Sequence, residues 1–198
     1  VKRDAPLAAK KSRRLTKTQI RKLVGEALEI LQSFGVPTDN LTERKKERMA
    51  KAFLAVAGLG PFSEWSDVRS IDEGHRLLSR QILRVMNEYF GETIADSSYD
   101  DIRRKDLLFP VEAGIVLRSA GKENASTNDG TRSYALDPSF AKQIRLFGTS
   151  LWNDSLALFM ENRPTLVDSL KRTRDVLRVP VLIDSAEIVF SPGEHNHL

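Results

Sequence analysis

Apolar positions recur along most of this chain at helical spacing, and the pattern is broken at Gly and Pro. Ile20, Leu23, Val24, Ala27, Leu28, Leu31 and Phe34 predict one helix with a single apolar face. Thr16-Lys17-Thr18-Gln19 ahead of them fits a capping box, in which the Thr hydroxyl and the Gln side chain satisfy free backbone donors. Gly35 suits the left-handed residue that ends a helix, and Pro37 bars continuation. A second helix is predicted from Asn40, with Glu43 three residues on, through Met49, Phe53 and Val56 to the Gly58-Leu59-Gly60-Pro61 breaker. Trp65 falls in the loop or short turn that follows. A third helix is predicted over about Glu73 to Phe90, burying Leu77, Ile82, Leu83, Met86 and Phe90 before Gly91 stops it.

The pattern then changes. Ser98 precedes a short helix predicted from Tyr99 to about Leu108, and Val111 to Leu117 turn into a strand. Residues 119–131 have loop composition, and Arg132 to Leu136 return as a second strand. Asp137-Pro138 reads as an N-cap followed by Pro at the first helical position, opening a helix that buries Phe140, Ile144 and Leu146. Helices over Leu151–Met160 and Leu166–Leu177 follow, separated by Pro164. Val179–Ile183 and Glu187–Phe190 read as a hairpin, and Ser191 starts a new element that ends with the chain at Leu198. The class is therefore mainly α with a small β part: a winged helix-turn-helix-like domain followed by a helical pair and a β-hairpin. The expected organisation is a basic disordered arm at 1–18, a helical, winged helix-turn-helix-like domain at 19–148, a helical linker and hairpin at 149–190, and the start of a further domain at 191–198.

Composition narrows the options. A chain of 198 residues, 40% hydrophobic and 29% charged, can bury a core. There is no apolar run of about 18 residues to cross a membrane, and no N-terminal stretch of this sequence shows the apolar centre of a signal peptide. Cysteine is absent, which removes disulfides and thiolate chemistry and suits a cytoplasmic protein. A start at Val1 rather than Met is what a piece of a longer protein would show. The net charge is +4, but residues 1–23 hold nine Lys or Arg against Asp4 alone. That arm carries +8, so the other 175 residues sum to −4. Such an arm is ordinarily solvated, and it also binds phosphate without regard to sequence.

Helix, strand, polar hairpin and strand over residues 98–136 follow the order of a winged helix. Ser98 would supply the cap, and Arg103, Arg104 and Lys105 the long donors of an exposed face. Ile102, Leu107 and Leu108 would supply the core face, and Gly114 the tight passage into the strand. Tyr99 would pack on a sugar or a thymine methyl. Arg118, Lys122 and Arg132 would flank the wing and meet phosphate. Against this, charge runs on helices are usually solvated faces, and Asp100, Asp101 and Asp106 dilute the positive charge. Enzyme signatures are missing: no phosphate-cradling GxxxxGK[ST], no GxGxxG after a strand, no GxSxG and no HExxH. His75 is expected mid-helix in a packing or surface role. His195 and His197 beside Glu194 sit in a chain tail, where metal geometry is hard to hold.

Phe34-Gly35-Val36-Pro37 with Glu43-Arg44, Trp65-Ser66, Phe109-Pro110-Val111-Glu112-Ala113-Gly114-Ile115 and Tyr134-Ala135-Leu136-Asp137-Pro138 form an ordered set. Phe147-Gly148-Thr149 with Trp152, Val179-Pro180-Val181 and Phe190-Ser191-Pro192-Gly193-Glu194-His195-Asn196 extend it. In order and spacing the set resembles the BsuBI/PstI type II restriction endonucleases, over about Leu31 to Leu198. The resemblance implies a helix-turn-helix domain that binds double-stranded DNA, followed by a Mg²⁺-dependent carboxylate–lysine nuclease domain of the PD-(D/E)xK kind. Residues 191–198 resemble the start of that domain, with Glu194 in a metal-supporting role in the intact parent. The carboxylates and lysine would lie beyond Leu198. The resemblance thus implies a site-specific deoxyribonuclease as parent, acting as a homodimer on a palindrome. This chain would be its DNA-binding part, needing no cofactor and inactive alone. A winged-helix transcription regulator and a protein-interaction domain are the alternatives left by the residues themselves.

Overall fold

The computed structural model describes residues 16–60, 62–118, 132–161, 163, 179–183 and 186–190. Helix α1, Lys17–Ser33, starts at the expected capping box: the Thr16 hydroxyl accepts from the Gln19 N–H, and the Gln19 side chain accepts from the Thr16 N–H. Val24, Ala27, Ile30 and Leu31 face the core. Helix α2, Glu43–Val56, starts later than expected. Thr42, not Asn40, has the extended backbone of a cap, and its side chain accepts from the Lys45 N–H. Every residue from Met49 to Ala57 is buried, so the second half of α2 is the central rod of the fold.

The expected helix over Glu73–Phe90 is shorter. Ile71–Glu73 form a 3₁₀ turn closed by Gly74 at φ 71°, a conformation no helix can pass through. Leu77–Leu78 are instead strand β1, and helix α3 is Ser79–Tyr89. His75 is accordingly not mid-helix; its ring lies over Gly58, where a Cβ would meet Nε2 at 3.1 Å. Tyr99–Asp101 are a single α turn, α4, continued by a π turn over Ile102–Asp106. The π turn is closed by a bond from the Leu107 N–H to the Ile102 carbonyl at 2.8 Å. Ser98 is no cap: it belongs to a 3₁₀ turn, Asp96–Ser98, and its side chain makes no capping bond. Leu108–Glu112 form helix α5 rather than a passage into the strand, with Leu108 exposed and not on the core face.

Strands β2, Val116–Arg118, and β3, Ser133–Leu136, close the unit. β3 is the middle of a three-stranded antiparallel sheet, with Leu77 opposite Tyr134 and Val116 opposite Leu136. All four β3 residues are buried. The succession α2, β1, α3, helix 99–106, β2, β3 is that of a winged helix with the short helix α5 inserted before β2, and the class is mainly helical with a small sheet, as expected.

Helix α6, Pro138–Ile144, is capped by Asp137, whose Oδ1 accepts from the Ser139 and Phe140 N–H groups. With helix α7, Trp152–Glu161, it carries an aromatic cluster. Phe34 lies edge-on to Phe140, Trp152 and Phe159, and Phe147 to Trp65 and Trp152, with centroids 5.0–6.0 Å apart. Strands β4, Val179–Ile183, and β5, Ala186–Phe190, form the expected antiparallel hairpin. Residues 1–15 of the expected arm, the 119–131 loop, the helix expected at 166–177 and the segment 191–198 lie outside the described residues. Residues 16–18 of that arm are the cap and first residues of α1.

Candidate nucleic-acid interface

The helix of residues 99–106 owes its position to what it buries. Ile102 and Leu107 are fully buried beside α2 and α3. Asp106 also turns inward, where its carboxylate takes Arg48 of α2 through Nε at 3.0 Å and Nη2 at 2.6 Å. The Asp106 side chain is 5% exposed and Arg48 20%. Burial pushes the Asp106 carboxyl above its ordinary value, and the Arg48 hydrogen bonds offset only part of this. The same helix α2 holds Glu92, just after α3, through Arg44 and Lys51. Burial pushes Glu92 upward as well, but its two cationic partners outweigh burial and hold it below the usual carboxylate range. A row of basic residues on α2 thus clamps the turn that follows α3 and the helix 99–106.

The outward side of helix 99–106 is basic and internally paired. Arg104 and Lys105 are 67% and 65% exposed in their side chains. Arg103, expected on the same open face, is only 25% exposed. Asp100 takes Arg103 Nη2 at 3.0 Å on one oxygen and Arg104 Nε at 2.6 Å on the other. Asp101 takes Lys105 at 3.0 Å. Tyr99 is exposed, and its ring lies under the Arg80 guanidinium of α3, 4.6 Å from the centroid.

The hairpin brings two more of the expected residues to one place. Arg118, exposed, is opposite Tyr134 at the outer end of β2, and half-buried Arg132 immediately precedes β3. These strands lead into and out of residues 119–131. Lys122 and Glu194 lie outside the described residues. Sequence reasoning missed Arg48 and Arg80. Arg80 and Arg84 stand four apart on α3, both exposed, a spacing that marks one helix side. Arg48 had no such signal, because its partner is 58 residues away.

Among the described residues no group of three His, Asp or Glu is placed to hold a metal ion. The acids near helix 99–106 are engaged by Arg48, Arg103, Arg104 and Lys105, so they do not fit a divalent cation. No helix among them is long and apolar enough to cross a membrane.

Residues 21–168 match the model of a family described as the BsuBI/PstI restriction endonuclease HTH domain. The type II restriction enzyme BsuBI of Bacillus subtilis is 28% identical over 176 residues, covering 88% of this chain and 53% of that protein. The solved structure of the SdaI restriction endonuclease aligns with a TM-score of 0.61 at 27% identity, over 86% of this chain and 51% of that one. The chain therefore spans about half the length of these relatives.

Proposed function

This chain belongs to the family of BsuBI/PstI restriction endonuclease helix-turn-helix domains, and on that premise we propose that it is the part of a type II restriction endonuclease that recognises double-stranded DNA. The observation that carries the reading is the winged-helix succession, with Arg104 and Lys105 of the 99–106 helix turned outward. An α-helix fits the major groove, and an exposed Arg reads guanine O6 and N7 there. Arg104 is the reader; Lys105, Arg118, Lys122 and Arg132 meet phosphate, which positions the duplex without specifying it. Arg103, half-buried and tied to Asp100, supports Arg104, and Tyr99 with Arg80 borders the groove wall. The basic residues ahead of α1, within 1–15, add a salt-dependent, sequence-independent attraction.

In this reading strand scission, with its Mg²⁺, belongs to the portion of the relatives that this chain does not match, and the intact enzyme pairs as a homodimer on a palindrome in the cytoplasm. The test is selection from a randomised duplex library. The chain is expected to enrich a defined sequence, and Arg104→Ala to lose preference at one base position by about 1–3 kcal/mol. Binding without any sequence preference, in the chain and in the variant alike, would contradict the proposal.

A further inference from the structure

We propose that Asp100 is a specificity-determining residue: it positions the reading arginine and, by its charge, turns phosphate away from the same helix. This rests on the reading of helix 99–106 as the DNA-contacting element.

Asp100 spends its two carboxylate oxygens on two different guanidinium groups, Arg103 on Oδ1 and Arg104 on Oδ2. The i+3 and i+4 spacings put both on one side of the helix. The Arg104 contact is through Nε, which leaves its two terminal nitrogens for a guanine edge. The carboxylate thereby draws the Arg104 guanidinium to one side of the helix before DNA arrives, and less freedom is lost on binding. Arg103 is held at both Nε and Nη2 and acts as the brace. The Asp100 side chain is 41% exposed, so its negative charge stands at the water boundary where a phosphate would approach. A phosphate within a few ångströms is disfavoured, and the paired arginines are partly neutralised toward the backbone. Both effects separate sequence reading from backbone attraction. Asp101 differs: it holds only Lys105, a point charge with no planar geometry to transmit.

The experiment compares Asp100→Asn, which keeps shape and removes charge, with Asp100→Ala and Asp101→Asn. Affinity is measured across a salt series for the duplex the unaltered chain selects from a random library and for a scrambled duplex. Both Asp100 variants are expected to bind scrambled duplex about fivefold more tightly at low salt. Their slope against log salt should steepen by about 1. Their selected-to-scrambled ratio should fall about tenfold or more. Asp101→Asn should raise scrambled binding while leaving base preference intact. A parallel fall of both affinities, or no change in the ratio, overturns the proposal, with thermal unfolding of each variant showing whether stability moved instead. If the unaltered chain itself prefers no sequence, the DNA reading fails, and this proposal with it; if only the variants behave otherwise than expected, that reading stands.

Discussion

Replacing Arg48 by Met is expected to cost about 3 kcal/mol at neutral pH, because it leaves the Asp106 carboxylate buried without its counter-ion. The loss should depend on pH in a defined direction. The Asp106 carboxyl already sits above its ordinary value, through burial first, with Arg48 offsetting only part. Removing Arg48 raises it further. A carboxyl whose folded value exceeds its unfolded one favours the fold below the unfolded value and loses that contribution as pH rises through the folded value. The Arg48→Met deficit should therefore be full at neutral pH and shrink as pH falls through the raised Asp106 value. The double variant Arg48→Met with Asp106→Leu should recover most of the loss, because neither buried charge remains. Urea unfolding at several pH values checks all three statements. A deficit below about 1 kcal/mol at neutral pH would mean that the pair does not anchor the π turn.

Phe34→Ala is expected to cost about 3–5 kcal/mol. Phe34 is 3% exposed at the end of α1 and makes edge contacts with Phe140 on α6 and with Trp152 and Phe159 on α7. One ring thus joins three helices, and its removal opens a cavity that stiff aromatic neighbours cannot fill. The unfolding temperature should fall by about 6–20 °C. Phe34→Leu should lose roughly half as much, since it refills part of the space. A loss under about 1.5 kcal/mol for the alanine variant would contradict the packing of α6 and α7 on α1.

Local signals made much of the fold legible. The α1 capping box, the Asp137-Pro138 start of α6 and the β2–β3 hairpin each depend on neighbours in sequence, so composition and spacing suffice to find them. What depended on distant partners did not show. β1 is two residues long and exists because Leu77 and Leu78 pair with Tyr134 and Ser133. The same apolar pair fits helix spacing when read alone. Ser98 looked like a cap by residue type, yet its backbone continues a 3₁₀ turn at φ −89°, ψ 14°, not the extended geometry a cap requires. The π turn at Ile102–Asp106 accompanies a buried pair with Arg48, which no local pattern announces. In the candidate interface the exposure of Arg104 and Lys105 followed from helical spacing, whereas the partial burial of Arg103 did not. The acids of this helix read as simple dilution of positive charge, and only geometry shows that each has a particular basic partner.

Helix 99–106, in the proposed function, lies against base edges. Site-specific photocrosslinking tests it most directly: a photoreactive side chain is placed at position 104 or, for comparison, at exposed Glu29 of α1, and the chain is irradiated on the duplex it selects. Crosslinks are expected from position 104 to one or two defined bases, through major-groove atoms, and none from position 29. Crosslinks to defined bases from position 29, with none from position 104, would contradict this placement.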